Sequence, residues 1–130
     1  MTTNITNEGK VLYPDLSYKI MGILFEVHNK LGTKYQEKHY QKAIEIKLKE
    51  YKLPYKREAQ IKVKFGNDDL GEFFIDFIIN NQIILETKVV WRISQNDIKQ
   101  VLRYLKSTNL KLGIIANFKH DNLEFRRILN

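Results

Sequence analysis

Apolar residues recur at helical spacing near the start of the chain, at Ile20, Ile23, Leu24, Val27 and Leu31. With Asp15 or Ser17 as a cap they predict a helix to about Lys30, and Gly32 is placed to close it. Tyr40, Ala43, Ile44, Ile46, Leu48 and Tyr51 predict a second helix from about Glu37 to Tyr51, ended by Leu53-Pro54. The period then changes. Ile61, Val63 and Phe65 alternate with Lys62 and Lys64, which predicts a half-exposed strand over 59–65. A turn at 66–69 leads into a second strand from Leu70 to Ile79, and Asn80-Asn81-Gln82 separates it from a third, Ile83 to Val90. Ser94 caps a predicted helix over about 95–107, with Ile98, Val101, Leu102 and Leu105 inward. Residues 112–116 read as a short buried strand, and 121–129 as a short helix or an edge strand. This order predicts an α/β domain, a mixed sheet of about four strands flanked by helices.

Charge interrupts the apolar pattern at one place. Asp76 lies inside Phe73-Phe74-Ile75-Asp76-Phe77-Ile78-Ile79, and Glu86-Thr87-Lys88 follows Ile83-Ile84-Leu85. Strands this apolar are at least half buried, and a buried acid needs a partner or a metal. Alternation puts Glu86 and Lys88 on one face. A two-residue loop at Asn80-Asn81 would pair Asp76 with Leu85 and send the two acids to opposite faces. A three-residue loop pairs Ile79 with Ile83, Phe77 with Leu85 and Asp76 with Glu86. Asn tolerates the left-handed conformation such loops use, so the second register is expected, with Asp76, Glu86 and Lys88 together. Opposed carboxylates repel unless a cation lies between them, and oxygen ligands suit magnesium or manganese. A nearby lysine can then stabilise phosphate charge or orient a water. The plainer alternative pairs each acid with its own lysine.

At 130 residues the chain is expected to hold one domain, 17–130, behind a flexible lead over 1–16. Lys plus Arg is 22 against 15 acids, a formal charge of +7 that favours an anionic partner such as nucleic acid. With no cysteine, thiolate metal sites and disulfides are excluded. No stretch is apolar enough to span a bilayer, and the first residues lack a signal-peptide core, so a cytoplasmic setting without a membrane partner is expected. Lys99, Arg103 and Lys106 form a helical stripe beside Gln100, suited to phosphate contacts or to a solvated face.

These residues resemble the PD-(D/E)XK nuclease superfamily, with Asp on the second core strand and Glu-X-Lys on the third. The closer resemblance is to the family named for its GxxExxY signature. It is carried by Val27-His28-Asn29-Lys30-Leu31-Gly32, Glu37-Lys38-His39-Tyr40-Gln41-Lys42-Ala43-Ile44, Asp76, Glu86-Thr87-Lys88 and Gln100. Tyr104-Leu105, Gly113-Ile114-Ile115-Ala116-Asn117-Phe118 and Arg126-Arg127-Ile128 complete it. Lys34 stands where the signature has a glycine, a residue that often marks positive φ.

The resemblance implies a restriction-endonuclease-like core and a metal-dependent nuclease using Mg²⁺, with Mn²⁺ as a substitute. Asp76 and Glu86 would be metal ligands, with Glu37 as an additional acid and the Thr87 carbonyl completing the shell. Lys88 would act on the water or the scissile phosphate, and Gln100 would line the site. Tyr104 and His28 would touch the substrate, DNA ahead of RNA, and the helical spacing puts Lys99 and Arg103 beside them as phosphate contacts. Tyr40 is expected to pack. A homodimer or protein partner would extend the small binding surface. The rivals are a non-catalytic nucleic-acid-binding protein and a regulatory subunit that keep the fold.

Overall fold

The computed structural model describes residues 12–130. Their order is α1 (Pro14–Leu31), α2 (Glu37–Glu50), β1 (Tyr55–Phe65), β2 (Asp68–Ile79), β3 (Ile83–Lys88), α3 (Gln95–Thr108), β4 (Leu112–Asn117) and β5 (Glu124–Leu129). Residues 1–11 of the expected lead lie outside the described residues; residues 14–16 belong to α1, whose first turn suits the fixed φ of Pro14. Gly32 closes α1 at φ 75°, donating its N–H to the His28 carbonyl. Lys34 has no positive φ, so the loop accepts a side chain there without strain.

The five strands lie in the order β1-β2-β3-β4-β5. β3 and β4 run parallel, joined by α3 as crossover, and the other neighbours run antiparallel. The fifth strand is the C-terminal tail, which resolves the choice between helix and edge strand.

Helices α1 and α2 cover one face of the sheet and α3 the other. On α2 only Tyr40, Ile44 and Leu48 are buried, one per turn. Ile46 and Tyr51, expected inward, are 59% and 52% exposed, since one turn-spaced row suffices to seat this helix on β3 and α1. Leu102 likewise faces outward on α3. A Cβ on Gly113 of β4 would lie 2.5 Å from Val101 Cγ1, so this glycine sets how closely α3 approaches the sheet.

The β2–β3 loop is the expected three-residue one. Asn80 and Asn81 take φ of 54° and 53°, and Ile79 pairs with Ile83 and Phe77 with Leu85. One residue further the sheet changes character. Phe77 and Ile79 pack into the α1/α2 core and Ile78 into the α3 core, yet Ile75 also packs into the α3 core. Strict alternation would put Ile75 with Phe77. On β1, Tyr55 leans on the α1/α2 core, whereas Ala59 and Ile61 lean on the other. Both strands therefore change face between these residues. Glu58 and Asp76 stand opposite each other at that point, and their pair is skipped in the β1–β2 ladder. Glu58 holds a φ of 46°, left-handed in the middle of a strand. The β2–β3 ladder ends at Phe77–Leu85 too. Asp76 thus sits where β2 skips one pair with β1 and where its ladder with β3 ends.

Candidate active site

The parted strands leave backbone amides without ladder partners, and the two acids take them up. Asp76 N–H donates to Glu86 Oε2 at 2.7 Å. The Thr87 N–H and hydroxyl both donate to Asp76 Oδ2, at 2.9 and 3.0 Å. The expected face-to-face stacking of Asp76 on Glu86 is thereby corrected. The register holds up to Phe77–Leu85, but beyond it each carboxylate crosses the gap to the other strand's backbone. Charge-assisted bonds of this kind are the means by which a buried carboxylate is tolerated.

They do not neutralise the pair. Glu86 is 5% exposed. Burial first, and then the like charge of Asp76, push its pKa up to about 8, against the pull of the Asp76 amide and Lys88. Each acid keeps one oxygen, Asp76 Oδ1 and Glu86 Oε1, outside these bonds. Two hard oxygen donors, in a place that disfavours negative charge, suit a divalent cation of the magnesium type, which takes few protein ligands and keeps waters. The larger ligand set expected from sequence is not assembled: the described residues contain no group of three or more His, Asp or Glu that could hold a metal ion. Glu37, at the start of α2, is a charge neighbour instead. Its pKa is raised by burial and then by Asp76, and lowered by Lys88.

Gln41, one turn after Glu37, ties α2 to the strands. Its Nε2 donates to Thr87 Oγ1 at 2.8 Å and to Glu37 Oε1 at 3.3 Å, while its Oε1 accepts from Arg57 Nη2 at 3.3 Å. Arg57 lies over the Phe77 ring, 4.8 Å from its centroid. Lys88 points to the α3 side, where its Nζ stands 3.5 Å from Asp97 Oδ1. Asp97 Oδ2 meanwhile accepts the Ser94 N–H in the capping box of α3. Burial opposes the Asp97 charge, but the Ser94 amide and Lys88 hold its pKa below the usual range.

Tyr104 on α3 is buried, and its hydroxyl is raised to about 12 by burial and then by the Glu86 and Asp76 charges. Gln100 is half-buried one turn earlier, and Lys99 and Arg103 are exposed on the same helix. His28 has a structural tie. It is buried on α1, its Nε2 lies 2.7 Å from the His120 carbonyl, and the His120 ring contacts the Trp91 carbonyl in turn. Tyr40 packs as expected, stacked on Phe118 at 4.5 Å with its hydroxyl donating to the Gly32 carbonyl.

The family comparison bears on this arrangement. Residues 14–128 match the model of the PD-(D/E)XK nuclease superfamily. The chain belongs to that superfamily. No curated protein and no solved structure matches it. The five-stranded mixed sheet with helices on both faces is consistent with the restriction-endonuclease-like fold, one strand beyond the expected four. In this PD-(D/E)XK protein, Asp76 lies on β2 and Glu86 and Lys88 on β3, the strands on which the sequence pattern expects them.

Four residues around the pair were not singled out in the sequence: Gln41, Arg57, Asp97 and Asn117. Asn117 is fully buried and fastens the segment after Lys88, accepting the Val90 N–H and donating to the Val90 carbonyl. Its place in the Asn-Phe element of the family signature was the available signal. Asp97 is marked in sequence only as the third residue after the Ser94 cap. Gln41 and Arg57 carry no local mark.

Proposed function

We propose that this PD-(D/E)XK protein, as a member of the GxxExxY branch, is a nuclease that hydrolyses phosphodiester bonds, DNA ahead of RNA. Mg²⁺ or Mn²⁺ would be held by Asp76 and Glu86, with the Thr87 carbonyl as a further oxygen ligand. Bound there, the ion would supply charge neutralisation at the phosphate and acidify the attacking water. The chain's own residues do the rest. Lys88, two residues beyond Glu86 on the same face, holds a positive amine for the water or a phosphate oxygen, and Asp97 limits where that amine can go. Gln41 fixes the Thr87 hydroxyl and so the Asp76 carboxylate. Gln100 and Tyr104 present one face of α3 to the reacting group, and Glu37 adds a second layer of negative charge.

The observation that carries this reading is the break in the sheet at Asp76. A purely structural ion pair would match each acid to a cation. Here two acids are held together by backbone amides, at an energetic cost to Glu86, with a single lysine beside them. The test is cleavage of supercoiled plasmid, single-stranded DNA and RNA in Mg²⁺, Mn²⁺ or EDTA, beside a Glu86→Ala/Lys88→Ala control. Metal-dependent cleavage that the control lacks is expected. Neither cleavage nor stabilisation by metal in the wild type would favour a binding protein that keeps the fold.

A further inference from the structure

Trp91 is the single tryptophan of the chain, and it is 77% exposed. A lone apolar side chain on a surface is ordinary, but the segment that carries this one is fastened on both sides. The Val90 N–H and carbonyl are both bound by the Asn117 amide, at 3.0 and 2.8 Å. Glu124 accepts from Asn117 Nδ2 at 2.8 Å and from the Ile93 N–H at 3.3 Å. The Trp91 carbonyl meets the His120 ring, and Ile93 is buried. The indole therefore stands in solvent on a backbone held at residues 90, 91 and 93.

The chain itself ties this ring to the site. Lys88, three residues earlier, and Asp97, six residues later, are joined at 3.5 Å, so the loop between β3 and α3 closes on itself at the lysine. Three residues span at most about 11 Å, which bounds the distance from the Lys88 Cα to the Trp91 Cα. Lys88 and Asn117 pair at the carboxyl ends of the parallel strands β3 and β4, and Trp91 and His120 lie just beyond those ends. Sheets with parallel strands bind ligands in the crevices outside such ends. The Trp91 and His120 rings meet edge to face, their centroids 5.1 Å apart at 80°, and an indole this exposed retains an open face.

We propose that Trp91 stacks on an unpaired base of the nucleic-acid strand whose phosphate lies at Asp76, Glu86 and Lys88, and so selects single strands over closed duplex. The ligand rests on the nuclease reading. A base in a closed duplex has both faces stacked already, whereas an unpaired base has a face to offer an aromatic ring. The exposed neighbours of Trp91 in its loop, Arg92, Ser94, Gln95 and Asn96, are all polar. The ring is thus a single stacking platform and not part of an apolar patch that would seat a protein partner.

With no second tryptophan present, the fluorescence of the full chain reports on this ring alone. Three molecules are titrated in EDTA, so that binding is read without cleavage: a single-stranded oligonucleotide, the same strand with abasic sites in place of its bases, and a duplex closed by hairpins. The single strand is expected to quench Trp91 to saturation, and the other two are not. Anisotropy of labelled forms gives the affinities of wild type, Trp91→Ala and Trp91→Phe across a salt series. Both substitutions keep the backbone carbonyl that meets His120, so the fold is expected to hold. Trp91→Ala should bind the single strand at least about fivefold more weakly, with the salt slope unchanged because no phosphate contact is lost. Trp91→Phe should recover part of that loss, and neither should alter binding of the abasic strand. Equal affinity of wild type and Trp91→Ala for the single strand would overturn the proposal. So would saturation without quenching, equal quenching by the closed duplex, or no binding of any of the three. Base-dependent quenching in a wild type that never cleaves with Mg²⁺ or Mn²⁺ would overturn the nuclease reading and leave the stacking site standing. Metal-dependent cleavage without quenching would do the reverse.

Discussion

Strand β3 carries two charged pairs that solve opposite problems. Lys88 and Asp97 have opposite signs, and each stabilises the other in the bare protein, across from strand to helix. Asp76 and Glu86 have the same sign, and only backbone amides and a threonine hydroxyl hold them. The first pair is complete without a ligand. The second is stable only because the strands have parted to offer amides, and its unmet need is a positive charge. A single residue separates Glu86 from Lys88, so the difference lies in geometry and not in general burial.

The largest effect should come from neutralising one member of the like-charged pair. Above about pH 8, where Glu86 is ionised, Glu86→Gln keeps an acceptor for the Asp76 N–H but removes a buried charge. Cleavage should fall at least about a hundredfold, while the metal-free melting temperature holds or rises. A loss of both activity and stability would mean that the pair is already neutralised in the wild type.

The pH dependence follows from the same charge. An acid whose folded pKa lies near 8, against an ordinary 4.5, binds its proton more tightly when folded. Its contribution is therefore favourable at low pH, and stability is lost as pH rises between those values. Melting of the metal-free wild type should drop between pH 5 and pH 8, and Glu86→Gln should flatten that drop. Mg²⁺ should restore stability mainly at the upper end.

Asp97→Asn sharpens the other half of the comparison. It retains an oxygen for the Ser94 N–H but not the charge that holds Lys88, so cleavage should fall several-fold with little change in melting. Asp97→Ala should cost about 1 kcal/mol more through the lost cap. The smallest effect is expected from Gln41→Ala, which frees the Thr87 hydroxyl and one Arg57 nitrogen. It should lower stability by about 1 kcal/mol and cleavage by less than the Asp97 change, both read on the same samples.

Much of this was legible in the sequence because it is local. Asn80-Asn81 set the loop and with it the β2–β3 register, and helical spacing located α1, α2 and α3 to within a few residues. The parting of the strands was not legible. It includes a left-handed Glu58, a conformation that a glutamate does not advertise, opposite an aspartate eighteen positions away. The roles of Gln41 and Arg57 depend on partners brought together by α2 docking on β3, which no spacing rule reports. β5 was ambiguous because five of its six residues are half-buried, leaving no clear period. For His28 the family pattern suggested substrate contact, whereas its ring meets a carbonyl 92 residues away in the sequence.

The most direct measurement is anomalous scattering from crystals grown with Mn²⁺ near pH 8. The account predicts a manganese peak bound by Asp76 and Glu86, with Lys88 still beside it. Carboxylates that keep their amide bonds, with no manganese between them at saturating metal, would contradict it.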